Sequence, residues 1–355
     1  MRLSDRDCLM KRGIGSATRR WVGADPAAAM SGWASSIAIK TRIEKLMSPI
    51  AIEATSPSPS RSFARRFAGA PLPWMMPAII VIGLFYLYPV FDVFRLSLTN
   101  ATLIGDSQQY TVSSIVNTLS SPQLPDILWA TFVFVGGSVV GQQLLGLAVA
   151  VVVIRGEQRG LFGTAILRTT ALVAWVVPGI AGGIIWQMLF SEAPYGALNS
   201  LLRLMHLPAV AWLSDPMIAP WSALLSNIWR GTAFSMVVMY AALKAIDPSL
   251  YEAAEVDGAT GWQRFIFVTL PQLRSAILVN MILITIMTVN TFDAIITLTG
   301  GGPGRATEVI SLYVFNIVFR NYDLSGGSVL SVLMLFISLG LALVYASFLP
   351  KEEQQ

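Results

Sequence analysis

The strongest constraint on the fold is a series of apolar runs, each long enough to cross a lipid bilayer. Crossing roughly 30 Å of hydrocarbon takes about 20 helical residues. We place six such spans at residues 71–94, within 127–154, and at 169–190, 220–243, 275–298 and 324–349. The second contains no charged residue between Asp126 and Arg155. The sequence therefore predicts an all-α polytopic membrane protein with six transmembrane helices.

Composition supports this class and excludes several kinds of site. The chain is 54% hydrophobic and 12% charged, whereas a soluble domain has about 45–50% apolar and about 25% charged residues. One cysteine, Cys8, and one histidine, His206, leave no intrachain disulfide and no multi-histidine metal site. The zinc motif H-E-x-x-H and the phosphate loop G-x-x-x-x-G-K-[ST] do not occur in the sequence. We therefore expect no catalytic residue, metal ion or cofactor on this chain.

The two ends differ from the apolar part, residues 71–350. Residues 1–70 hold half of the lysines and arginines, together with the Ser/Pro run "TSPSPSRS". Such a composition is typical of disordered segments. We expect residues 1–70 to be a flexible basic cytoplasmic tail and residues 351–355 to be a short cytoplasmic C-terminal tail.

Orientation follows from the distribution of Lys and Arg in the loops, because these residues favour the cytoplasmic side. With the N-terminus inside, ten of them lie on the inner side of the spans and four on the outer side. This predicts that both termini are cytoplasmic. Two outer connections are predicted to contain helices: an amphipathic one within residues 191–219, and an apolar one at 309–319 that is too short to span.

The connection between the fourth and fifth spans carries paired helix-start signals. Asp247 followed by Pro248 is typical of an N-cap and a first helical residue. Gly258 permits a left-handed turn, Thr260 can cap a second helix, and Pro271 is expected to end it. Most helix–helix connections take about 2–8 residues, which argues against an ordinary loop. We predict two short helices that are bent at a glycine and lie on the inner face of the membrane.

Within this segment, residues 247–271, the run "EAAEVDGATGWQRFIFVTLP" resembles the EAA signature of permease subunits in binding-protein-dependent ABC importers. The matching positions are Glu252, Ala253, Ala254, Asp257, Gly258, Ala259, Phe265, Leu270 and Pro271. The runs "FDAIITLTGGGPGRATEVISLYVFNIVFRNYDLS" and "WLSDPMIAPWSALLSNIW" are similar to the carbohydrate-uptake branch, which includes maltose and glycerol-3-phosphate permeases. The resemblance extends over about residues 71–350.

The resemblance implies a permease subunit of the bacterial inner membrane that moves a carbohydrate or polyol-type solute into the cytoplasm by alternating access. It implies that segment 247–271 is a coupling helix that docks on an ATPase. The expected partners are a second homologous permease subunit, a pair of cytoplasmic ATPase subunits that bind ATP and Mg, an extracytoplasmic solute-binding protein, the solute and the lipid membrane, but no nucleic acid. The ATPase-coupling residues would be Glu252, Ala253, Ala254, Asp257, Gly258, Ala259 and Pro271.

Polar residues within the spans are candidates for the solute path, because ionisable groups at membrane depth are rare and often functional. Arg230 lies about 9 Å into the fourth span, counted from Leu224 at 1.5 Å per residue. Asn290, Asp293 and Thr297 would share one face of the fifth span. Weaker candidates in the third span are Gln187, Trp186 and Trp175. Snorkelling or an ion pair could instead explain Arg230, and interhelical hydrogen bonds could explain the polar face.

Two other functions remain open at this point. An ion-gradient-driven secondary transporter often has internal repeats and broken helices in both halves, and neither is evident in the sequence. A non-transporting membrane scaffold or an intramembrane enzyme is the second alternative. The enzyme would need a nucleophile paired with a base, for which one histidine and one peripheral cysteine offer little.

Overall fold

The structure is a computed structural model that describes residues 72–105 and 108–349, so both predicted tails lie outside the described residues. All regular elements within these ranges are helices. In chain order they are α1 (Leu72–Ile82), α2 (Tyr88–Ser97), α3 (Ser113–Leu119), α4 (Leu124–Gln158), α5 (Gly163–Val176), α6 (Gly179–Leu189), α7 (Ala197–Leu204), α8 (Ala219–Lys244), α9 (Pro248–Val256), α10 (Gly261–Arg264), α11 (Leu270–Gln272), α12 (Arg274–Val289), α13 (Asp293–Leu298), α14 (Ile310–Phe319) and α15 (Leu324–Ser347), with π-helical turns at Gly83–Leu87 and Phe265–Thr269.

The described residues contain enough long apolar helix for six spans. Three stretches qualify alone: Trp74–Ser97, which joins α1 and α2, then α4 and α15. Three more spans arise if each bent pair of helices counts as one: α5 with α6, α8 with α9, and the run Gly261–Gln272 with α12. The all-α polytopic class is therefore confirmed. The fourth predicted span corresponds to α8 and the fifth to α12 with α13, whereas α9 and Gly261–Gln272 belong to the predicted connection 247–271.

The third predicted span, residues 169–190, is not a continuous helix. Helix α5 ends at Val176, and α6 leaves it at an angle of 107°. The cause is Pro178, which lacks an N–H and disfavours helical backbone at the residue before it. Val177 is accordingly extended, with φ −64° and ψ 123°. The expectation of one continuous helix was therefore wrong, because the helix ends just before Pro178.

The fifth predicted span, residues 275–298, is also interrupted. Helix α12 ends at Val289 and α13 begins at Asp293. The side chains in the gap bond back to α12: Asn290 Nδ2 donates to the carbonyl of Ile286 at 2.7 Å, and Thr291 Oγ1 donates to that of Met287 at 3.0 Å. The carbonyl of Ile286 also accepts from the backbone N–H of Asn290 at 3.4 Å, so these side chains add to the hydrogen bonding at the helix end. Because two spans are broken, the lack of broken helices that spoke against a secondary transporter does not hold.

Helices α4 and α8 form the central pair of the fold. A side chain on Gly137, Gly141 or Gly146 of α4 would overlap side chains of α8. These small residues let the two helices approach closely, which is how helices associate in a membrane without a hydrophobic driving force. Helices α5 and α6 of the third span and α12 and α13 of the fifth span pack against this pair.

Both predicted outer helices are present, as α7 and α14. The loop after α7 is held by Asn199, which is buried. Its Nδ2 donates to the carbonyl of Val210 at 3.0 Å, and its Oδ1 accepts from the amide of Val210 at 3.0 Å and from Trp212 Nε1 at 3.1 Å. This connection is therefore ordered by one buried amide that makes three hydrogen bonds.

Candidate functional site

The first helix of the connecting segment 247–271 begins as predicted. The carboxylate of Asp247 accepts a hydrogen bond from the amide of Ser249 at 2.9 Å, and Pro248 is the first helical residue. That bond stabilises the charged form, so the backbone N–H of Ser249 holds the pKa of Asp247 below its ordinary value of 3.8. Gly258 has φ +76°, the left-handed conformation that the turn requires.

The second helix of the segment begins as predicted but ends later. Thr260 Oγ1 accepts from the amide of Gln263 at 3.3 Å, and Gln263 Oε1 accepts from the amide of Thr260 at 2.8 Å, which completes a capping box. The helical path then passes through the π-turn Phe265–Thr269 and continues to Gln272. The helix therefore ends one residue after Pro271, the predicted end. Proline is tolerated in the first turn of α11, where its missing N–H is not required.

Most of the predicted coupling residues lie on the surface. Glu252, Ala253, Asp257 and Gly258 are exposed, and so is Pro271. Ala254 and Ala259 are half-buried. Within the described residues Glu252 forms no ion pair, whereas Glu255 lies 3.1 Å from Arg264. The segment thus presents an unpaired carboxylate beside two small side chains, and its docking on a partner stays a prediction.

A cavity of about 380 Å³ lies where α5, α8 and the break of the fifth span meet. Four of the predicted solute-path residues line it: Trp175, Arg230, Asn290 and Asp293. The full lining is Gln142, Trp175, Asn227, Arg230, Gly231, Phe234, Ile284, Met287, Thr288, Asn290, Thr291, Phe292 and Asp293. The aromatic rings of Trp175 and Phe234 are 5.9 Å apart. The cavity thus combines amides, hydroxyls and one ion pair with aromatic faces.

The ion pair joins Arg230 and Asp293, with 3.6 Å between Nη1 and Oδ1. Their side chains are 29% and 32% exposed. Helix α8 begins at Ala219, so Arg230 follows its start by 11 residues and lies about 16 Å along the axis. Arg230 thus lies near the middle of α8, and it forms the ion pair that was one of the alternatives open for it.

The predicted polar face of the fifth span was also wrong. Asn290 and Asp293 do not share a helical face, because α12 has ended before the first and α13 starts at the second. They meet at the same cavity because the chain turns between them. Their spacing of three residues predicted a shared helical face, but the two side chains are close because the chain turns between α12 and α13.

Thr297 and Gln187 do not reach this cavity. The hydroxyl of Thr297 donates to the carbonyls of Asp293 and Ala294, each at 3.1 Å, within its own helix. It lies against Gly183 of α6. Gln187 lines a different cavity of about 410 Å³, together with residues of the connection after α6. Neither residue is placed to act with Arg230 and Asp293.

The contact between α6 and α13 depends on two glycines four residues apart. A Cβ at Gly179 would overlap the carboxylate of Asp293, and one at Gly183 would overlap the hydroxyl of Thr297. Small residues at this spacing are typical of close helix packing in membranes. The carboxylate also lies at the first turn of α6, where the helix dipole favours negative charge.

Sequence reasoning missed a group of amide and hydroxyl side chains between α4 and α8. Gln142 Nε2 donates to the carbonyl of Asn227 at 3.2 Å, and Asn227 Nδ2 donates to Ser138 Oγ at 2.9 Å. Gln142 and Asn227 are buried and also line the cavity. Their amides stand inside otherwise apolar helices, and that signal could have identified them.

A second buried amide lies on α12, where this helix contacts both α4 and α8. Asn280 of α12 is fully buried and donates to Gln143 Oε1 at 2.7 Å and to Ser235 Oγ at 3.0 Å. Its own Oδ1 has no protein partner among the described residues. This amide ties α12 to both α4 and α8, as polar side chains between membrane helices do.

Comparison with known proteins identifies the family. Residues 142–351 match the profile of the binding-protein-dependent transport system inner membrane component. The chain is 34% identical over 275 residues to the trehalose/maltose transport system permease protein MalF of Thermococcus litoralis, covering 76% of this chain and 90% of the relative. It is 32% identical over 254 residues to the lactose transport system permease protein LacF of Rhizobium radiobacter, covering 70% and 82%.

A third relative and a solved structure agree with this result. The sulfoquinovosyl glycerol transport system permease protein SmoG of Agrobacterium fabrum is 32% identical over 279 residues, covering 76% of this chain and 87% of the relative. The fold is similar to a chain in a bacterial ABC transporter involved in alginate import, with a TM-score of 0.69 at 21% identity, covering 80% of this chain and 96% of that one. The chain therefore belongs to the binding-protein-dependent transport system inner membrane components.

Proposed function

We propose that the chain is one of two membrane subunits of an ABC importer, and that it moves a carbohydrate or polyol-type solute into the cytoplasm by alternating access. The observation that carries the proposal is segment 247–271, two capped helices that are exposed and bent at Gly258. A connection with no partner would not need this degree of order. In this proposal the segment docks on a separate ATPase subunit, which supplies the energy for transport.

The chemistry of segment 247–271 suits docking on a soluble subunit. Glu252 is exposed and can form a charge-assisted hydrogen bond with a partner's cation. Ala253 is exposed and small, so a partner's backbone can approach closely. A rigid helix fixed at both ends can pass a rigid-body displacement into the helices that it joins, here α8 and α12.

The chemistry of the cavity suits a solute with hydroxyl groups. Asn227, Gln142 and Asn290 supply amides that can both donate and accept hydrogen bonds. Trp175 and Phe234 add aromatic faces. The location, where two spans are interrupted, is one where backbone groups at membrane depth can line a cavity. The relatives named for trehalose and maltose, lactose and sulfoquinovosyl glycerol support the carbohydrate class.

The proposal includes partners that complete the transporter. A second homologous permease subunit would form the other half of the path, and a pair of cytoplasmic ATPase subunits would bind ATP and Mg. An extracytoplasmic binding protein would deliver the solute. This chain would bind no cofactor, hydrolyse no ATP and contact no nucleic acid. It would lie in the bacterial inner membrane with both termini in the cytoplasm.

Purification through a tag on this chain tests the proposal first. We expect an ATPase subunit and a second permease to co-purify. The complex, reconstituted with its binding protein, should hydrolyse ATP faster when maltose, trehalose, lactose or sulfoquinovosyl glycerol is added, and methionine should have no effect. Uptake that follows an ion gradient without ATP, or a chain that purifies without any ATPase, would contradict the proposal.

A further inference from the structure

Four side chains meet at the end of the membrane helices from which segment 247–271 leaves. We name them the Glu157 cluster: Glu157 of α4, Arg168 of α5, and Tyr240 and Lys244 of α8. Tyr240 Oη donates to both carboxylate oxygens of Glu157, at 2.9 and 3.0 Å. Lys244 Nζ lies 3.0 Å from Oε2, and Arg168 Nη1 lies 3.7 Å from Oε1. One carboxylate therefore links three helices.

Glu157 is the member on which the arrangement depends. Its side chain is 27% exposed, whereas those of Lys244 and Arg168 are 51% and 46% exposed. Both cations also lie over the ring of Tyr240, at 5.6 and 5.9 Å from its centroid. Without the carboxylate, two like charges would remain close together beside one ring. Like charges repel, so the ends of α5 and α8 would separate.

The cluster stands directly next to the segment. Lys244 is the last residue of α8, and Asp247, the cap of α9, follows three positions later. Ala245, the first of the two residues between them, still bonds back to Ala241 and Ala242 at 3.2 Å, so little free chain separates α8 from α9. A displacement of α9 therefore acts on Lys244 almost directly.

The other side of the cluster leads to the cavity. Arg168 lies on α5, and Trp175 follows it by seven residues on the same helix, about 10 Å away. Trp175 lines the cavity. A rigid helix thus connects the carboxylate of Glu157 to a cavity wall, while α4 connects it to the cavity-lining Gln142.

We infer that Glu157 is a positioning residue that passes the displacement of segment 247–271 into α4 and α5, and through them to the cavity. The inference rests on the proposed coupling function of that segment. Hydrogen-bonded ion pairs between rigid helices can have two discrete arrangements, which is what transmission between distant sites requires. The following experiment measures this coupling directly.

The test uses the complete complex with its ATPase subunits and a single reporter thiol. Cys8, the only native cysteine, is replaced by serine, and Met287→Cys places a thiol at the cavity on a residue that is 47% exposed. The rate of labelling by N-ethylmaleimide is compared without nucleotide and with ATP plus vanadate. We expect the parent complex to change its labelling rate, because the cavity opens and closes with the ATPase cycle.

Glu157→Gln and Lys244→Met should reduce this response about fivefold or more, the usual scale of a lost coupling. ATP hydrolysis and retention of the ATPase should persist, and Lys244→Arg should respond as the parent does. Asp92→Asn is the matched control, because it breaks a 2.8 Å ion pair with Arg95 that lies within one helix. A purely structural role of Glu157 would lower the amount of complex without changing the response per complex.

A nucleotide response in Glu157→Gln as large as in the parent complex would overturn the inference. Loss of the ATPase subunit from that variant would overturn it too, because the cluster would then be a docking element. If Glu157→Gln does not accumulate, Tyr240→Phe decides: it removes one donor and keeps both cations, and an unchanged response would overturn the inference. A parent complex with no nucleotide response would instead refute the proposed function of segment 247–271.

Discussion

The carboxylate of Asp293 occupies the space beside Gly179 that the side chain of any other residue would need. The same carboxylate lies 3.6 Å from the guanidinium of Arg230. One side chain at the start of α13 therefore contacts both the first turn of α6 and the middle of α8. Size at position 179 and charge at position 293 are constrained together.

Adding one methyl group at position 179 tests the steric half of this relationship. Gly179→Ala forces the carboxylate of Asp293 to move, and such overpacking costs about 1–3 kcal/mol. We expect a lower unfolding temperature in detergent and reduced uptake. Gly182→Ala is the matched control, because its Cβ would meet only Val177, at 3.8 Å. Equal stability of both variants would show that α6 and α13 are not packed as described.

Removing the charge at position 293 tests the electrostatic half. Asp293→Ala leaves Arg230 without its counter-charge at membrane depth, which costs about 1–3 kcal/mol. We expect solute uptake to fall about tenfold while the complex still assembles, and Asn290→Ala to act in the same direction. Thr297→Ala, whose hydroxyl lies outside the cavity, should transport nearly normally. Normal uptake by Asp293→Ala and Asn290→Ala would place the solute path elsewhere.

Neutralising Glu252 should weaken docking without weakening the chain. Within the described residues Glu252 has no ion-pair partner, so Glu252→Gln removes nothing from the permease itself. A charged hydrogen bond to the ATPase is worth about 1.5–3 kcal/mol. We expect the variant to lose that much docking free energy, measured by a pull-down titration with the ATPase subunit. Glu255→Gln, which breaks an exposed pair with Arg264, should cost at most about 1 kcal/mol. The reverse order of effects would argue against Glu252 as the contact.

The turn at Gly258 can be tested by two identical substitutions. Gly258→Ala places a Cβ on a residue with φ +76°, which costs about 1–2 kcal/mol. Gly261→Ala adds the same atom three residues later, where there is open space and no positive φ. We expect the first to lower ATP hydrolysis that is coupled to uptake, and the second to be neutral. Two neutral variants would mean that the bend between α9 and α10 does not matter for coupling.

The cap at Asp247 predicts a pH dependence with a defined sign. The amide of Ser249 lowers the pKa of Asp247 in the folded state, so the bond stabilises α9 fully above the ordinary pKa of 3.8. This contribution is lost as the pH falls through the lowered, folded-state pKa. Amide hydrogen exchange of residues 247–258 should therefore speed up at acidic pH, after correction for intrinsic rates. Asp247→Asn, which caps without titrating, should remove the pH dependence but keep the helix.

Local signals in the sequence predicted segment 247–271 well. The caps at Asp247 and Thr260 and the turn at Gly258 depend on bonds within a few residues, and these are confirmed. The second helix ends at Gln272, one residue after the predicted end at Pro271, and no pattern of hydrophobic residues reports the π-turn Phe265–Thr269 that precedes it. Apolar length likewise predicted where the spans lie but not that two of them break.

The cavity could be predicted only in part, because it forms where distant segments meet. Arg230 and Asp293 were each identifiable as charges at membrane depth, yet their pairing depends on the break before α13. Gln142 and Asn227 stand out as amides inside apolar helices, but their contact depends on the pairing of α4 with α8, which the sequence does not report. In the sequence Gly179 and Gly183 are part of an apolar run. Their packing role becomes evident only from their contacts with α13.

The bend at Pro178 has a consequence for how this family can vary. It starts a new helix, α6, beside α13, and the carboxylate of Asp293 supplies the negative charge that this helix end favours. Loss of Pro178 would straighten the third span and remove the helix start beside Asp293, and loss of the carboxylate would leave that helix start without a negative charge. Positions 178 and 293, although 115 residues apart in the chain, should therefore be exchanged together in related proteins or not at all.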